Sequence, residues 1–208
     1  MERLDVDVDF RPAVEMAFGK EKVLVVKDAH PGQPIQRWVK ESDGLSGHMP
    51  AANGDLYELL LQKVQIAMDG KKIRSITFLW MQGERDSRSM KNGSQYAVRL
   101  NALIEQIKTD LKYSEINYVL GRLSDYGINN EKAPAWTIIR DAQVEIAEKS
   151  VRGAWVNTED LNDGINVQGH QIENDLHYSV EGYRLLGQRL AEAAISLVKI
   201  NDMHVAVK

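Results

Sequence analysis

The segment Ile73-Arg-Ser-Ile-Thr-Phe-Leu-Trp-Met-Gln-Gly-Glu-Arg-Asp86 decides the fold. Its first seven residues form an apolar run that is typical of a buried β-strand. The run stops abruptly at Gln82-Gly83-Glu84, where an amide, a flexible glycine and a carboxylate follow one another. Open α/β sheets place their ligand sites at the carboxyl ends of the strands. The segment therefore predicts a binding site, or as the alternative a solvated loop with a helix-capping carboxylate.

Similar apolar runs recur along the chain and alternate with amphipathic stretches. The run Val23-Leu24-Val25-Val26 is typical of a strand that is covered on both faces. Further strands are predicted at 116–120 and 154–156, and helices are predicted at about 12–18, 55–68, 94–111, 134–146 and 179–200. Such alternation predicts a three-layer α/β/α fold with a mostly parallel sheet, as in flavodoxin-like proteins. We expect residues 1–208 to form one domain.

The composition narrows the classes of function. The formal net charge is −4 and Lys and Arg are scattered, which argues against a nucleic-acid surface. The absence of cysteine from the sequence excludes disulfides, thiolate metal sites and a cysteine nucleophile. No apolar run approaches the roughly 18 residues of a membrane-spanning helix, and the histidines lack zinc-site spacing. We expect no metal, no nucleic acid and no membrane partner, whereas the compartment and the oligomeric state stay open.

His177 is the strongest candidate for a catalytic base. It stands in a polar loop just before the last predicted helix, two residues after Asp175. A histidine base needs a group on its second ring nitrogen to fix its tautomer and orientation. The alternative is a structural histidine at a helix start. His30 lies on another loop at the same edge of the predicted sheet, but its spacing gives it no role.

Three blocks of the sequence resemble, in order, the SGNH-type esterases of the sialate O-acetylesterase and carbohydrate esterase family six branch. The first is Val25 to Trp38, with Pro31-Gly32-Gln33-Pro34 inside it. The second, Trp80 to Asp86, resembles the family's Trp-x-Gln-Gly-Glu-x-Asp block, and the third is Asp175 to Tyr183. The resemblance covers essentially the whole chain. It implies an SGNH-like fold and a hydrolase of carboxylic esters that uses no metal and no cofactor.

The resemblance also implies roles for the matching residues. In the family, a glycine N–H and a glutamine side chain hold the oxyanion, and Gly32 and Gln82 stand at those places here. His177 would take the proton from the nucleophile and return it to the leaving alcohol. The remaining assignments are Asp175 and Glu84 as orienting or acid groups, and Arg85 and Trp38 as substrate contacts.

Two features depart from the family pattern. The family opens with a strand followed by Gly-x-Ser or Gly-Gln-Ser-Asn, whose serine is the nucleophile, and this chain has no such block. Since Met1 resembles the residue that often follows that block, we expect the chain to start just past its nucleophile, with one strand missing. Ser46 is the only tempting substitute. The usual Asp-x-x-His spacing places Asn174 three residues before His177, so the triad acid is Asp175, Glu84 or neither.

Three functions are compatible with these observations. The first is a carbohydrate O-acetylesterase-like serine hydrolase that acts on a small or carbohydrate ester and is inactive without its serine. The second is a non-catalytic carbohydrate-binding relative, in which Trp38, Trp80 and Trp136 could be sugar platforms, although we expect at least two of them to be buried core residues. The third is a flavodoxin-like regulator or nucleotide binder, which explains neither Gln-Gly-Glu nor Asp-Leu-His. The first requires Gln82 and His177 to lie at the same edge of the sheet.

Overall fold

The computed structural model describes residues 6–40 and 53–205. It contains a parallel three-stranded sheet with the order β1 (Thr77–Trp80), β2 (Asn117–Gly121) and β3 (Gly153–Val156). In its register Thr77 lies opposite Asn117, and Tyr118 lies opposite Gly153. Because the strands are parallel, their carboxyl ends share one edge of the sheet, which we call the rim.

Helices cover both faces of this sheet. Their bounds are α1 (Asp7–Phe18), α2 (Asp55–Met68), α3 (Met90–Leu111), α4 (Trp136–Glu148) and α5 (Val180–Val205). Adjacent residues of β2 show the layering, because Leu120 packs in one core with α2, α3 and α4, while Val119 packs in the other with α1 and α5. The predicted three-layer α/β/α fold is thereby confirmed. None of the helices in the described ranges combines the length and the hydropathy of a membrane span.

Two helices begin earlier than the sequence analysis predicts. Helix α3 starts at Met90, because Ser89, not Ser94, is its N-cap and accepts a hydrogen bond from the Asn92 N–H at 3.5 Å. Helix α1 starts at Asp7, so Pro12 lies inside it and not in its first turn. Acidic residues in the first turn of α1 favour that earlier start by interacting with the helix dipole.

The prediction of a β-strand at Val23–Val26 is wrong. The segment is extended at Val23, but within the described part of the chain it joins no sheet, and β1 pairs with β2 alone. Val23 and Val25 pack against the core on the α1 and α5 side, whereas Leu24 is 43% exposed. A segment of β-forming residues becomes a strand only when a neighbouring strand supplies hydrogen bonds, and Val23–Val26 receives none in the described ranges. Only one face of the segment is covered, and not both as predicted.

The long loop before α5 is more ordered than its polar sequence indicates. It contains a short antiparallel pair, β4 (Gly164–Ile165) and β5 (Gln171–Ile172). The Asn166 side chain closes the turn between them by accepting hydrogen bonds from the N–H groups of Gln168 (3.0 Å) and His170 (2.9 Å). This hairpin precedes the loop that carries His177.

Candidate functional site

Gln82 directly joins two of the loops that meet at the rim. The side chain is buried, and its Nε2 donates to the Gln33 carbonyl at 2.9 Å and to Asp86 Oδ2 at 2.7 Å. Its backbone carbonyl accepts from Tyr96 Oη at 2.6 Å and from Gln143 Nε2 at 2.8 Å. These bonds fix the loop after β1 against α3 and α4 and against the loop of Gln33.

Gly83 is required by the turn that follows Gln82. Its φ of +151° lies outside the region that L side chains usually adopt. A Cβ at this position would lie 2.7 Å from Ile139 Cγ2 and 3.1 Å from Leu123 Cδ1. The close approach lets the rim loop pack directly on α4.

His177 is exposed and is paired with Asp175. Its Nδ1 lies 3.5 Å from Asp175 Oδ1, and the same oxygen accepts the His177 N–H at 2.8 Å. The side chain of His177 is 75% exposed. Asn174, at the usual acid position, points elsewhere, since its Oδ1 accepts from Asn162 Nδ2 at 3.1 Å. Of these two neighbours, Asp175 is therefore the one placed to orient the imidazole.

Glu84 lies near the loop of His177, because Glu84 and Leu176 line the same cavity. Burial is the largest cause that raises the pKa of Glu84, Asp86 adds to the rise, and His177 opposes it. A second contact between the same loops joins Tyr178 Oη to Met81 Sδ at 3.9 Å. The loops of Gln82 and His177 thus contact each other at the rim, while the catalytic roles of the two residues stay predictions.

The two predicted oxyanion donors differ in their availability. Gly32 is exposed with a φ of +67°, and no residue of the described ranges accepts a hydrogen bond from its N–H. In contrast, Gln82 Nε2 already donates to two acceptors, and its Oε1 is buried without a hydrogen-bond partner. Gln82 would reach an oxyanion only by giving up one of those bonds, so its role stays a prediction.

The predicted substrate contacts lie in different environments. Arg85 is exposed on the loop after β1. The three tryptophans considered as sugar platforms are all core residues, with Trp38 4%, Trp80 7% and Trp136 2% exposed. Trp38 and Trp80 pack edge to face, with their ring centroids 5.3 Å apart. A sugar could stack on these rings only if the groups that cover them moved.

A cavity of about 210 Å³ opens beside Glu84. Leu176, next to His177, lies in its wall, together with Arg88, Tyr126, Asn130, Lys132 and Trp136. Sequence reasoning missed this cavity, because the loop after β2 carries no motif. The available signal was its position after a strand that ends at the rim.

The site holds no evident nucleophile among the described residues. Ser87 Oγ donates to the Glu84 carbonyl at 2.8 Å, and Ser179 Oγ accepts from the Gly182 N–H at 3.0 Å. No serine of the described ranges is hydrogen-bonded to the His177 side chain. Ser46 lies outside the described residues. Across those ranges, no three His, Asp or Glu side chains converge as a metal site requires.

We expect Glu84→Gln to stabilise the protein at neutral pH and not at acidic pH. Because the folded protein raises the pKa of Glu84, it binds the proton more tightly than the unfolded chain does. The free energy of unfolding therefore falls as the pH rises from about 4.5, the usual value, through the raised pKa. The glutamine side chain of the variant carries no such proton, so urea denaturation between pH 4 and pH 8 should show a stability gain that grows with pH.

Glu131→Gln is the matched control for this prediction, because Glu131 is an exposed carboxyl outside the site. We expect its free energy of unfolding to stay parallel to the wild-type curve. A Glu84→Gln curve that is also parallel, or a gain largest at pH 4, would show that Glu84 is not penalised by burial.

Comparison with known proteins identifies the family. A family model described as carbohydrate esterase, sialic acid-specific acetylesterase, matches residues 1–196. The X-ray structure of a protein from Arabidopsis thaliana is similar, with a TM-score of 0.57 and 22% sequence identity. The similarity covers 79% of this chain and 57% of the Arabidopsis chain, and at that identity it shows the fold alone. No curated protein gives a significant match.

Proposed function

The chain belongs to the carbohydrate esterase, sialic acid-specific acetylesterase family, which supports a carbohydrate esterase-like function, and we propose that its rim binds O-acetyl esters of sugars. The observation that carries this proposal is the pairing of His177 with Asp175 at the rim, beside the loop of Gln82. An exposed imidazole whose Nδ1 faces a carboxylate is arranged to accept a proton at Nε2. The acyl carbonyl would lie near the Gly32 N–H, and the sugar would extend toward the cavity of Glu84 and Leu176.

Among the described residues, this arrangement lacks a nucleophile. Since no serine in the described part of the chain is bonded to His177, we propose that these 208 residues bind esters without hydrolysing them. The outer edge of β1 lacks a strand partner in that part of the chain, and the segment Val23–Val26, which is extended at Val23, joins no sheet there either. Both features support a further parallel strand beside β1, and such a strand would end at the rim, where His177 needs a hydroxyl.

A second candidate function is carbohydrate binding without catalysis. The same lack of a serine favours it, and the cavity beside Glu84 offers polar and cationic groups, Asn130, Arg88 and Lys132, to the hydroxyl or carboxylate groups of a sugar. The two candidates differ in what they recognise. An esterase-like site contacts the acetyl group, whereas a sugar-binding site need not.

The proposal predicts that the chain prefers the acetylated sugar. We expect O-acetylated sialic acid to bind the ¹⁵N-labelled chain about five- to thirtyfold more tightly than free sialic acid, since burying an acetyl group and pairing its carbonyl contribute roughly 1–2 kcal/mol. The amide signals of Gly32, Leu176 and His177 should shift during the NMR titration. We expect His177→Ala to weaken binding and His170→Ala, an exposed histidine of the preceding hairpin, to leave it unchanged.

Other outcomes would separate the candidates. Equal affinities for the acetylated and the free sugar, with shifts at Tyr126 and Asn130 but not at Gly32, would support sugar binding alone. Shifts that avoid the rim altogether would contradict both candidates.

A further inference from the structure

Asp86 is the last residue of the segment that decides the fold, and it is completely buried. One of its oxygens, Oδ2, accepts two hydrogen bonds that come from different loops. The Ile35 N–H donates to it at 2.9 Å, and Gln82 Nε2 donates at 2.7 Å. Ile35 begins the short 3₁₀ helix Ile35–Trp38, three residues after Gly32. A single carboxylate oxygen therefore contacts both loops that carry the predicted oxyanion donors.

The pKa of Asp86 is raised, because burial is the largest cause and outweighs the bonds from Gln82 and Ile35 and the charge of Arg99. The second oxygen, Oδ1, is buried without a hydrogen-bond partner in the described ranges. Arg99 is itself 2% exposed. With the Gln36 amide turned so that its oxygen faces Arg99, it accepts from Nη2 at 2.9 Å and from Nη1 at 3.0 Å. The carboxylate, the guanidinium and the start of the 3₁₀ helix thus form one buried polar network.

We infer that Asp86 is a positioning residue, which sets the spacing between the Gly32 and Gln82 loops and fixes the orientation of the Gln82 amide. Asp86 Oδ2 accepts the Ile35 N–H, and an oxygen that acts as an acceptor pairs with the Nε2 donor of Gln82 and not with Oε1. The Gln33 carbonyl, the second acceptor of Nε2, imposes the same orientation. This inference rests on the proposed function, because it assigns Asp86 a role in a site for acyl esters.

Two hydrogen bonds join these loops across a long separation in sequence. Gln33 and Gln82 are 49 residues apart in sequence, and Ile35 and Asp86 are 51 apart. Without the Asp86 oxygen, the Ile35 N–H would be buried with no acceptor, which a folded chain avoids by moving the segment. We therefore expect the loop that carries Gly32 to move away from Gln82 when this oxygen is removed.

The test is hydrogen exchange in the ¹⁵N-labelled 208-residue chain at pH 8, which needs no substrate. The exchange rate of the Ile35 N–H is divided by that of Leu120, a fully buried residue of β2, so that a change in global stability cancels. We expect Asp86→Ala to raise this ratio at least tenfold and to move both Gln82 Nε2 proton signals toward those of free glutamine. Asp86→Glu, which keeps the charge but displaces the oxygens, should give the same result. We expect Asp86→Asn, with one amide oxygen in place, to change the ratio less.

Asp110→Ala is the matched control. Asp110 is a carboxylate of α3 that accepts from Tyr57 Oη at 2.7 Å and from Lys40 Nζ at 2.6 Å, away from the rim. We expect this variant to lose stability without a change in the Ile35 to Leu120 ratio. An unchanged ratio in both Asp86→Ala and Asp86→Glu would overturn the inference, and so would an equal rise in Asp110→Ala. If Asp86→Ala does not fold, Asp86→Glu decides.

The two proposals can fail separately. A raised ratio together with no binding of acetylated sugar would show that Asp86 holds the two loops together, but it would remove the proposed function and with it the role of Asp86 in an ester site. Ester binding together with an unchanged ratio would support the proposed function and overturn the role of Asp86.

Discussion

Extension of the chain ahead of residue 1 by a β-strand that ends in Gly-Gln-Ser-Asn should raise the hydrolysis of p-nitrophenyl acetate at least about 10³-fold over the 208-residue chain. Under the proposed function, the extension would supply a serine hydroxyl to His177 and a strand to the outer edge of β1. Loss of the nucleophile from a serine hydrolase typically lowers kcat by about 10⁶, and oxyanion donors and binding alone leave a small residual rate. We set the expected gain lower, because an added strand will not place the hydroxyl ideally. Release of p-nitrophenol measures both rates.

Two variants of the extended chain serve as controls for this result. An extension that ends in Gly-Gln-Ala-Asn supplies the strand without the hydroxyl, and we expect its rate to equal that of the unextended chain. We expect His177→Ala in the serine-bearing version to remove most of the gain, because the base is then absent. Equal rates for the extended and the unextended chain would refute the account of the missing nucleophile.

Gly182→Val should cost about 3 kcal/mol of the free energy of unfolding, or more. Gly182 lies near the start of α5, and a Cβ there would overlap the Leu161 carbonyl oxygen and lie 2.9 Å from its carbonyl carbon. That carbonyl cannot move freely, since it accepts the Ser179 N–H at 2.9 Å and thereby holds the loop of His177 against α5. Overpacking against fixed backbone typically costs about 1–3 kcal/mol and sometimes more. Urea denaturation followed by circular dichroism measures the loss.

The control is Gln188→Val, which introduces the same side chain on the exposed face of the same helix. Its cost should stay below about 1 kcal/mol, which reflects only the lower helix propensity of valine. A Gly182→Val loss no larger than this would show that α5 and the loop of Leu161 can separate without penalty.

The order of strands and helices could be predicted because it depends on local patterns. The apolar run before Gln82 and the helical spacing of apolar residues in α2, α3 and α5 are properties of the sequence itself. The wrong prediction of a strand at Val23–Val26 has a different cause. A segment forms a β-strand only beside a partner strand, and no local sequence pattern reveals whether that partner is present. The start of α3 was missed because Ser89 and Ser94 are equally good caps by residue type.

The candidate site was predictable to the extent that motifs carry it. Gln82, Glu84 and His177 stand at strand ends or at a helix start, and the structure brings their loops together. The sequence could not show that both Gln82 N–H groups are already engaged, since Asp86 and Gln33 reach them only through tertiary packing. The cavity beside Glu84 was invisible for the same reason.

Within residues 6–40 and 53–205 no strand covers the outer edge of β1, and this bears on association of the chain in concentrated solution. An open sheet edge can receive backbone from another molecule, and proteins limit this hazard by keeping such edges short. β1 has four residues, and about half of the residues of a strand direct their amide and carbonyl groups to one side. Foreign backbone could therefore form only a handful of hydrogen bonds here, too few to seed a fibril without much longer exposed segments.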